Sequence, residues 1–396
     1  MIYDFDEIIP RQNTASVKYD LLQKYFGKDD LLPMWVADMD FRTPDFIVNA
    51  VKERASHEIY GYSFRTEKYD EALIGWFARR HGWNIDREWI SFSPGVVPAL
   101  NLIVMEFTEP GDEIIVQPPV YFPFFSAVKN HNRKLVLNQL AYEKGRYFID
   151  FKDLESKINS NTRMLILCNP HNPVGRAWKA KELEQLANIC IKNNILLLSD
   201  EIHCDLVFPP TKHIITASLS EEIANNTITA VAPSKTFNLA GLSTSAIICP
   251  NPELRRRYDK ILDNVHVGSG NIFGSVAAQA AYTHGDEWLD QLLDYVSENY
   301  RYAYDYLESF LPEIKPAPLE ATYLLWLDFS RAGFGSNEEL KDFVIEKAGL
   351  ALNEGASFGA GGEGFMRMNL ACPRKVLIKA LNQLRVAFEE RKKSDK

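Results

Sequence analysis

RMLILC at residues 163–168 and ILLLS at residues 195–199 are the two stretches that decide the fold class of this chain. Each is a short apolar run bounded by polar residues, which is typical of a strand buried on both faces of a parallel sheet. Apolar side chains recur between the two runs at helical spacing, at Leu183, Leu186, Ala187, Cys190 and Ile191. The order strand, helix, strand therefore predicts a βαβ unit.

The same alternation continues on both sides of this unit. Strand-like stretches lie at residues 88–93, 113–117, 227–232 and 244–249, and helix-like stretches lie at residues 67–81 and 96–108. Strands that alternate with helices in this way predict an α/β fold around a mostly parallel sheet.

The two ends of the chain have a different character. The segment 1–43 looks irregular, and a helical region covers residues 252–311 with one break near His284 and Gly285. A strand within residues 315–329 follows, and more helical and strand-like segments complete the chain. This change of pattern predicts a second, smaller α/β domain.

The composition narrows the class of protein. The chain has 396 residues, of which 46% are hydrophobic and 24% charged, and such a chain can bury a sizeable core. Its net charge of -9 argues against a nucleic acid as the main partner. No apolar run approaches the length of about 18 residues that a membrane-spanning helix needs. The acidic start lacks the basic and apolar regions of a signal peptide, so we expect neither kind of segment.

The five cysteines include no C-x-x-C pair, and most lie in apolar runs. We expect buried free thiols and a cytoplasmic location, because disulfides are rare in a reducing compartment. The eight histidines show no metal-ligand spacing, so we expect no metal site.

One lysine stands out in APSKTFNLAG, residues 232–241, directly after a predicted strand. Lysine is the side chain that forms a Schiff base with a carbonyl cofactor, and Ser234 beside it offers a hydroxyl to a phosphate. Judged on residue type alone, Lys235 would be an ordinary solvated loop lysine.

Polar residues also follow the two central strands. Asp200 ends the strand in LLLSDEIHCDL (196–206), where a carboxylate can pair with a protonated pyridine nitrogen. Asn172 lies in CNPHNPVGRAW (168–178), where it could donate to a phenolate oxygen. The alternatives are a helix N-cap for Asp200 and a plain turn for Asn172.

Two further stretches offer sites for anions. SPGVVPAL (93–100) joins a strand to a helix whose N-terminus presents free N–H groups to a phosphate. Arg367 lies in an apolar strand within GFMRMNLACP (364–373). A buried arginine needs an anionic partner, which is either a substrate carboxylate or a structural salt bridge.

The order of these motifs along nearly the whole chain resembles the fold-type I pyridoxal-5′-phosphate (PLP) enzymes, the aspartate aminotransferase superfamily. Five segments resemble more narrowly the MalY/PatB-type cystathionine β-lyases, which are carbon–sulfur lyases: WVADMDF (35–41), YGYS (60–63), SDEIHCDL (199–206), SKTFNLAGL (234–242) and CPR (372–374). The resemblance implies a large PLP-binding domain at residues 44–285 with a seven-stranded, mostly parallel sheet. It also implies a small α/β domain formed by both chain ends, residues 1–43 and 286–396.

The resemblance also implies a role for each matching residue. Lys235 matches the Schiff-base lysine that moves the substrate's Cα proton, Asp200 the partner of the pyridine nitrogen, and Asn172 the donor to the phenolic oxygen. The remaining matches are Tyr121 stacked on the cofactor ring, Val96, Val97 and Ser234 around the phosphate, Tyr62 reaching the neighbouring subunit of a homodimer, and Arg367 and Ala37 at the substrate.

The implied reaction is β-elimination from L-cystathionine or a related cysteine S-conjugate, which yields a thiol, pyruvate and ammonia. His203 departs from the aminotransferase pattern, in which a tyrosine binds the phenolic oxygen at this place; this favours the lyase subgroup. A plain helix-start residue is the alternative for His203. Two other functions stay open, a class I/II aminotransferase and a PLP-binding regulatory protein.

Overall fold

The structure is a computed structural model that describes residues 2–268 and 270–394. Its strands are β1 Leu32–Pro33, β2 Ile90–Ser93, β3 Glu113–Val116, β4 Lys134–Leu137, β5 Ala141–Glu143, β6 Arg146–Phe148, β7 Thr162–Cys168, β8 Leu196–Asp200, β9 Thr227–Val231, β10 Ser245–Ile248, β11 Lys315–Pro316, β12 Leu324–Asp328, β13 Leu350–Ala351, β14 Asn353–Glu354 and β15 Phe365–Asn369.

Fifteen α-helices are present in the described ranges. They are α1 Val17–Asp20, α2 Leu22–Phe26, α3 Asp45–Ser56, α4 Glu67–His81, α5 Val96–Phe107, α6 Pro123–Lys129, α7 Phe151–Lys157, α8 Ala180–Lys192, α9 Glu221–Asn225, α10 Pro233–Thr236, α11 Pro252–Asn264, α12 Ile272–His284, α13 Asp286–Phe310, α14 Asn337–Asp342 and α15 Arg374–Ser394. Short 3-10 turns span Arg87–Trp89, Thr216–Ser218, Ala240–Leu242 and Gly355–Phe358, and a π-helical turn spans Phe343–Lys347.

A seven-stranded sheet in the order β2-β10-β9-β8-β7-β3-β4 forms the centre of the fold. Strand β10 runs antiparallel to both of its neighbours, β2 and β9, and the other four pairs of neighbouring strands are parallel. The central strands β7, β8 and β9 are almost wholly buried, as their apolar runs predict. The predicted α/β fold of type I, with its mostly parallel sheet, is confirmed.

A smaller sheet is built from the C-terminal part of the chain, in the order β11-β12-β15-β14. Near it, β1 pairs in parallel with β13, so that Leu32 lies opposite Leu350. This pairing joins the two ends of the chain. The domain bounds at residues 44 and 285 stay a prediction.

The helices agree with the sequence prediction except in two places. The predicted helix at 67–81 is α4, but the helical region 252–311 is broken twice and not once. The missed break separates α11 from α12, where the Asn271 side chain accepts hydrogen bonds from two backbone N–H groups and caps α12. The first 43 residues are also less irregular than predicted, since they contain α1, α2 and β1.

No helix within residues 2–268 and 270–394 is both long and apolar enough to cross a membrane.

Candidate active site

A cavity of about 320 Å³ lies at the carboxyl edge of the large sheet, where β7 and β8 end. Its walls carry most of the predicted site residues. They include Ala37, Val96, Val97, Tyr121, Asn172, Asp200, His203, Ser234 and Lys235. Parallel strands bring their carboxyl ends to one edge, which explains why motifs far apart in sequence meet here.

Lys235 lies in the short helix α10, is half-buried, and lines the cavity. Its Nζ donates a hydrogen bond of 2.7 Å to the carbonyl oxygen of Ala37. Burial and the nearby charge of Arg367 lower the pKa of Lys235 to about 8, against the opposing pull of Asp38 and Asp200. At pH 7 roughly a tenth of this lysine is therefore a neutral amine, far more than for an ordinary lysine.

Asp200 is the last residue of β8 and is 4% exposed. Its Oδ1 accepts a hydrogen bond of 3.1 Å from the backbone N–H of Ile202, and no helix begins here for it to cap. Burial raises the pKa of Asp200 to about 7, so the carboxylate lacks the cationic contact that would stabilise its charge. Such a carboxyl can take a buried cationic partner.

Arg367 projects from β15 and is also buried. It donates to three neutral acceptors: Nη1 to Asn172 Oδ1 at 3.0 Å, and Nη2 to Trp35 O at 2.9 Å and to Asn353 Oδ1 at 2.6 Å. Its Nε is buried without a partner, and burial lowers the pKa of Arg367 to about 10. Within the described part of the chain, the hydrogen bonds of the guanidinium therefore go to neutral oxygens, and none goes to a carboxylate.

The predicted phosphate-binding groups lie together in the cavity wall. Val96 and Val97 begin the twelve-residue helix α5, and Ser234 directly precedes Lys235 in α10. Sequence reasoning missed two more hydroxyl residues in this wall, Ser243 and Thr244. The run of small polar residues after SKTFNLAG was the signal that could have identified them.

Two rings face the cavity. Tyr121 lines it just before α6, and burial raises the pKa of its hydroxyl. His203 lies in a turn and not at a helix start, and its ring meets the ring of Tyr323 edge-on at 6.1 Å. Burial, with the charges of Lys235 and Arg367, depresses the pKa of His203 well below its usual value. The imidazole is therefore neutral, and its Nδ1 has no partner.

Tyr62 is the one predicted cofactor residue that this chain does not bring to the cavity. Its side chain is fully exposed, in a stretch with exposed Ile59, Tyr60 and Phe64. Its role at the cavity of a neighbouring subunit stays a prediction.

A buried acid behind the cavity was missed by the sequence analysis. Asp205 accepts hydrogen bonds from Trp76 Nε1 at 2.9 Å and from Thr236 Oγ1 at 2.7 Å, and it lies 2.8 Å from His81 Nε2. These contacts hold the residue that follows Lys235. Together with Cys204, His81 and Asp205 place ligand-type atoms within 4.8 Å of one another, but Asp205 is already occupied by hydrogen-bond donors. The absence of a metal stays a prediction.

Comparison with known proteins identifies the family of this chain. The family model "Aminotransferase class I and II" matches residues 30–384. Cystathionine β-lyase PatB of Bacillus subtilis is 44% identical over 386 residues, covering 97% of this chain and 100% of that protein.

Two solved structures are similar over the same length. The structure of PLP-containing cystalysin from Treponema denticola is 40% identical, with a TM-score of 0.95 over 98% of this chain and 100% of that one. The PLP-bound C-S lyase from Staphylococcus hominis is 35% identical, with a TM-score of 0.91 over 98% of each chain. The predicted likeness to fold-type I PLP enzymes and to their lyase subgroup is confirmed, as is the predicted cofactor.

Proposed function

Because this chain belongs to the family of class I and II aminotransferases, we propose that it is a PLP-dependent carbon–sulfur β-lyase. Its substrate is L-cystathionine or a related cysteine S-conjugate, from which it releases a thiol, pyruvate and ammonia. One observation carries the chemistry: the amine of Lys235 lies in the same cavity as Asp200 and near the guanidinium of Arg367, whose hydrogen bonds within the described residues go to neutral groups.

The groups in the cavity fit PLP. The N-terminus of α5 and the hydroxyl groups of Ser234 and Thr244 suit its phosphate. Asp200 suits the pyridine nitrogen, because a cation beside the carboxylate would offset the cost of burying its negative charge, which raises its pKa. When bound, PLP supplies the electron sink that stabilises negative charge at the substrate's Cα.

Asn172 and Arg367 act as a pair. The Asn172 Oδ1 accepts a hydrogen bond from Arg367 Nη1, so its Nδ2 is the donor that would hold the cofactor's phenolic oxygen. The guanidinium then binds the substrate carboxylate, the anion missing from its surroundings. Since the two residues touch, the cofactor and the substrate are oriented by one connected group.

Lys235 moves the proton. Its lowered pKa makes the neutral amine available to take the proton from Cα, which an ordinary lysine near its pKa of 10.5 would do poorly. The hydrogen bond to Ala37 O orients the amine while it does so. Transamination would need Lys235 to return the proton to the cofactor, whereas elimination lets the thiolate leave from Cβ.

We also propose a homodimer in the cytoplasm. The exposed aromatic stretch around Tyr62 supports the dimer, because Tyr62 would then complete the phosphate site of the neighbouring subunit. The five cysteines are all unpaired, which supports a reducing compartment.

The test is a panel of thioether amino acids with L-cystathionine, assayed for pyruvate in the absence of any 2-oxo acid. Wild type should release pyruvate, and Lys235→Ala should lose both turnover and the visible absorbance of the lysine-bound cofactor. Lys181→Ala, on the exposed face of α8, should behave as wild type. Steady transamination without pyruvate would mean an aminotransferase, and PLP binding without turnover would favour a regulatory protein.

A further inference from the structure

Five consecutive backbone carbonyls at residues 35–39, here named the carbonyl strap, each accept a hydrogen bond from a side chain. The donors are Arg367 Nη2 to Trp35 O (2.9 Å), Asn369 Nδ2 to Val36 O (2.7 Å) and to Asp38 O (2.6 Å), Lys235 Nζ and Tyr323 OH to Ala37 O (2.7 and 3.0 Å), and Arg11 Nη1 and Asn238 Nδ2 to Met39 O (3.1 and 2.9 Å). Side chains from distant parts of the chain therefore fix an irregular segment in the middle of the site.

A cluster of charges holds the end of the carbonyl strap. Arg11 contacts Asp38 Oδ2 and Asp40 Oδ1, each at 2.6 Å. Lys18, which is 1% exposed, lies 2.7 Å from Asp40 Oδ2 and 3.7 Å from Asp38 Oδ1. Two cations thus share two carboxylates with little access to water, an arrangement that resists displacement because any opening exposes an unpaired buried charge.

The carbonyl strap contacts both the proposed carboxylate-binding residue and the proposed base. Trp35 O receives a bond from Arg367, the proposed carboxylate-binding residue, and Ala37 O receives one from Lys235, the proposed base. A shift of the strap would therefore move both groups relative to the cofactor. Misplacement of reacting groups by about 1 Å can cost on the order of a hundredfold in rate.

We propose that Arg11 and Asn369 are positioning residues that hold the Ala37 carbonyl as the hydrogen-bond acceptor for Lys235 once the substrate has displaced that amine from the cofactor. The inference rests on the proposed function, since it assigns this carbonyl a role in the proton transfer. One N–H of the Lys235 amine stays on Ala37 O, and its lone pair points away and receives the Cα proton. The ammonium that results keeps the same acceptor until it gives the proton up.

Charged and titratable groups from several elements lie near the Lys235 amine. Arg367 lowers the pKa of Lys235, whereas Asp38 and Asp200 raise it. The others are the neutral ring of His203 and the Tyr323 hydroxyl, which shares the acceptor Ala37 O. Because Arg11 neutralises Asp38, removal of Arg11 leaves the negative charge of Asp38 stronger at Lys235 and should raise the pKa of the nitrogen.

The experiment compares Arg11→Met and Arg11→Lys with Arg42→Met, whose arginine pairs with Glu7 and is 58% exposed. In the PLP-loaded enzymes, the visible absorbance is titrated with pH, and kcat and KM are measured for L-cystathionine. For Arg11→Met we expect the titration midpoint to rise by about half a unit or more. We expect kcat to fall about ten- to a hundredfold with a smaller change in KM.

Arg11→Lys should lie between Arg11→Met and wild type, because it keeps the charge but not the paired hydrogen bonds. Arg42→Met should match wild type. An unchanged midpoint and kcat in Arg11→Met would overturn the proposal, as would equal losses in Arg42→Met. If Arg11→Met does not fold, Asn369→Asp, which retains the shape but loses the donors to Val36 O and Asp38 O, must lower kcat or the proposal fails.

The two proposals fail separately. If wild type binds PLP but releases no pyruvate, the lyase function is wrong, and the absorbance midpoint of Arg11→Met still decides whether the carbonyl strap acts on Lys235. If wild type releases pyruvate and the Arg11 and Asn369 variants keep wild-type midpoints and kcat, only the strap proposal is wrong.

Discussion

Replacement of Asp200 by asparagine is expected to stabilise the cofactor-free protein, and more at pH 8 than at pH 5. Burial raises the pKa of Asp200 from its ordinary value of 3.8 to about 7. A carboxyl with a higher pKa in the folded chain than in the unfolded chain destabilises the fold increasingly as the pH rises from the lower value to the higher one. The difference of about three pH units, at 1.36 kcal/mol per unit, corresponds to about 4 kcal/mol above pH 7.

At pH 5 the folded carboxyl is still protonated, and the same relation gives a cost of only about 1.5 kcal/mol. The free energy of unfolding of the Asp200→Asn variant should therefore exceed that of wild type by a gap that widens by about 2 to 3 kcal/mol from pH 5 to pH 8. Asparagine keeps nearly the same shape and can still accept the hydrogen bond from the Ile202 N–H.

Urea denaturation of the two cofactor-free proteins at both pH values measures this gap. Asp305→Asn, at an exposed position of α13, is the control for the loss of one carboxylate charge elsewhere on the chain. Equal gaps at the two pH values would refute the reasoning that burial disfavours the ionised Asp200 carboxylate. A wild type that is more stable than Asp200→Asn at pH 8 would refute it as well.

Three further outcomes are expected. Arg367→Met should lower kcat/KM for L-cystathionine by about a hundredfold or more while the cofactor absorbance stays, and Arg367→Lys should restore little because lysine lacks the bidentate geometry. The rate at which the cofactor-free protein captures PLP, followed by absorbance, should rise with pH until about 8 and then level off, since the neutral amine of Lys235 is the nucleophile; a rate independent of pH would contradict this. A mixture of inactive Tyr62→Ala and Lys235→Ala proteins, unfolded and refolded together, should regain activity if Tyr62 acts across a subunit interface, and no recovery would argue against that role.

The sequence predicted the parts of the site that lie at strand ends. Asp200 ends a buried strand, Asn172 and Lys235 each follow one, and the topology of a parallel sheet gathers such positions at one edge. Arg367 could be predicted because an arginine in an apolar strand requires an explanation. Local pattern and α/β topology indicate only where these groups gather, and the role of each residue was implied by the resemblance to fold-type I PLP enzymes.

The partners of the carbonyl strap could not be predicted in this way. Asn369 bonds to Val36 and Asp38 across more than 300 residues, and Arg11 bonds to Met39 across 28. Such contacts depend on how the two ends of the chain pack, and no local periodicity records that. The missed break before α12 has a local cause instead, since it depends on the cap formed by Asn271.

Three ionisable groups in the cofactor-free site should make the stability of the protein depend on PLP. The pKa of Asp200 is raised, and the pKa values of Lys235 and Arg367 are lowered, in each case mainly because burial opposes the charged form. A ligand that binds only the folded chain adds stability in proportion to the logarithm of its concentration over Kd, about 2.7 kcal/mol at a hundredfold excess. If Asp200 pairs with the pyridine nitrogen, PLP should stabilise wild type more than Asp200→Asn, and the gap at pH 8 should shrink or reverse. Equal stabilisation of both proteins by PLP would show that Asp200 is not the partner of the cofactor.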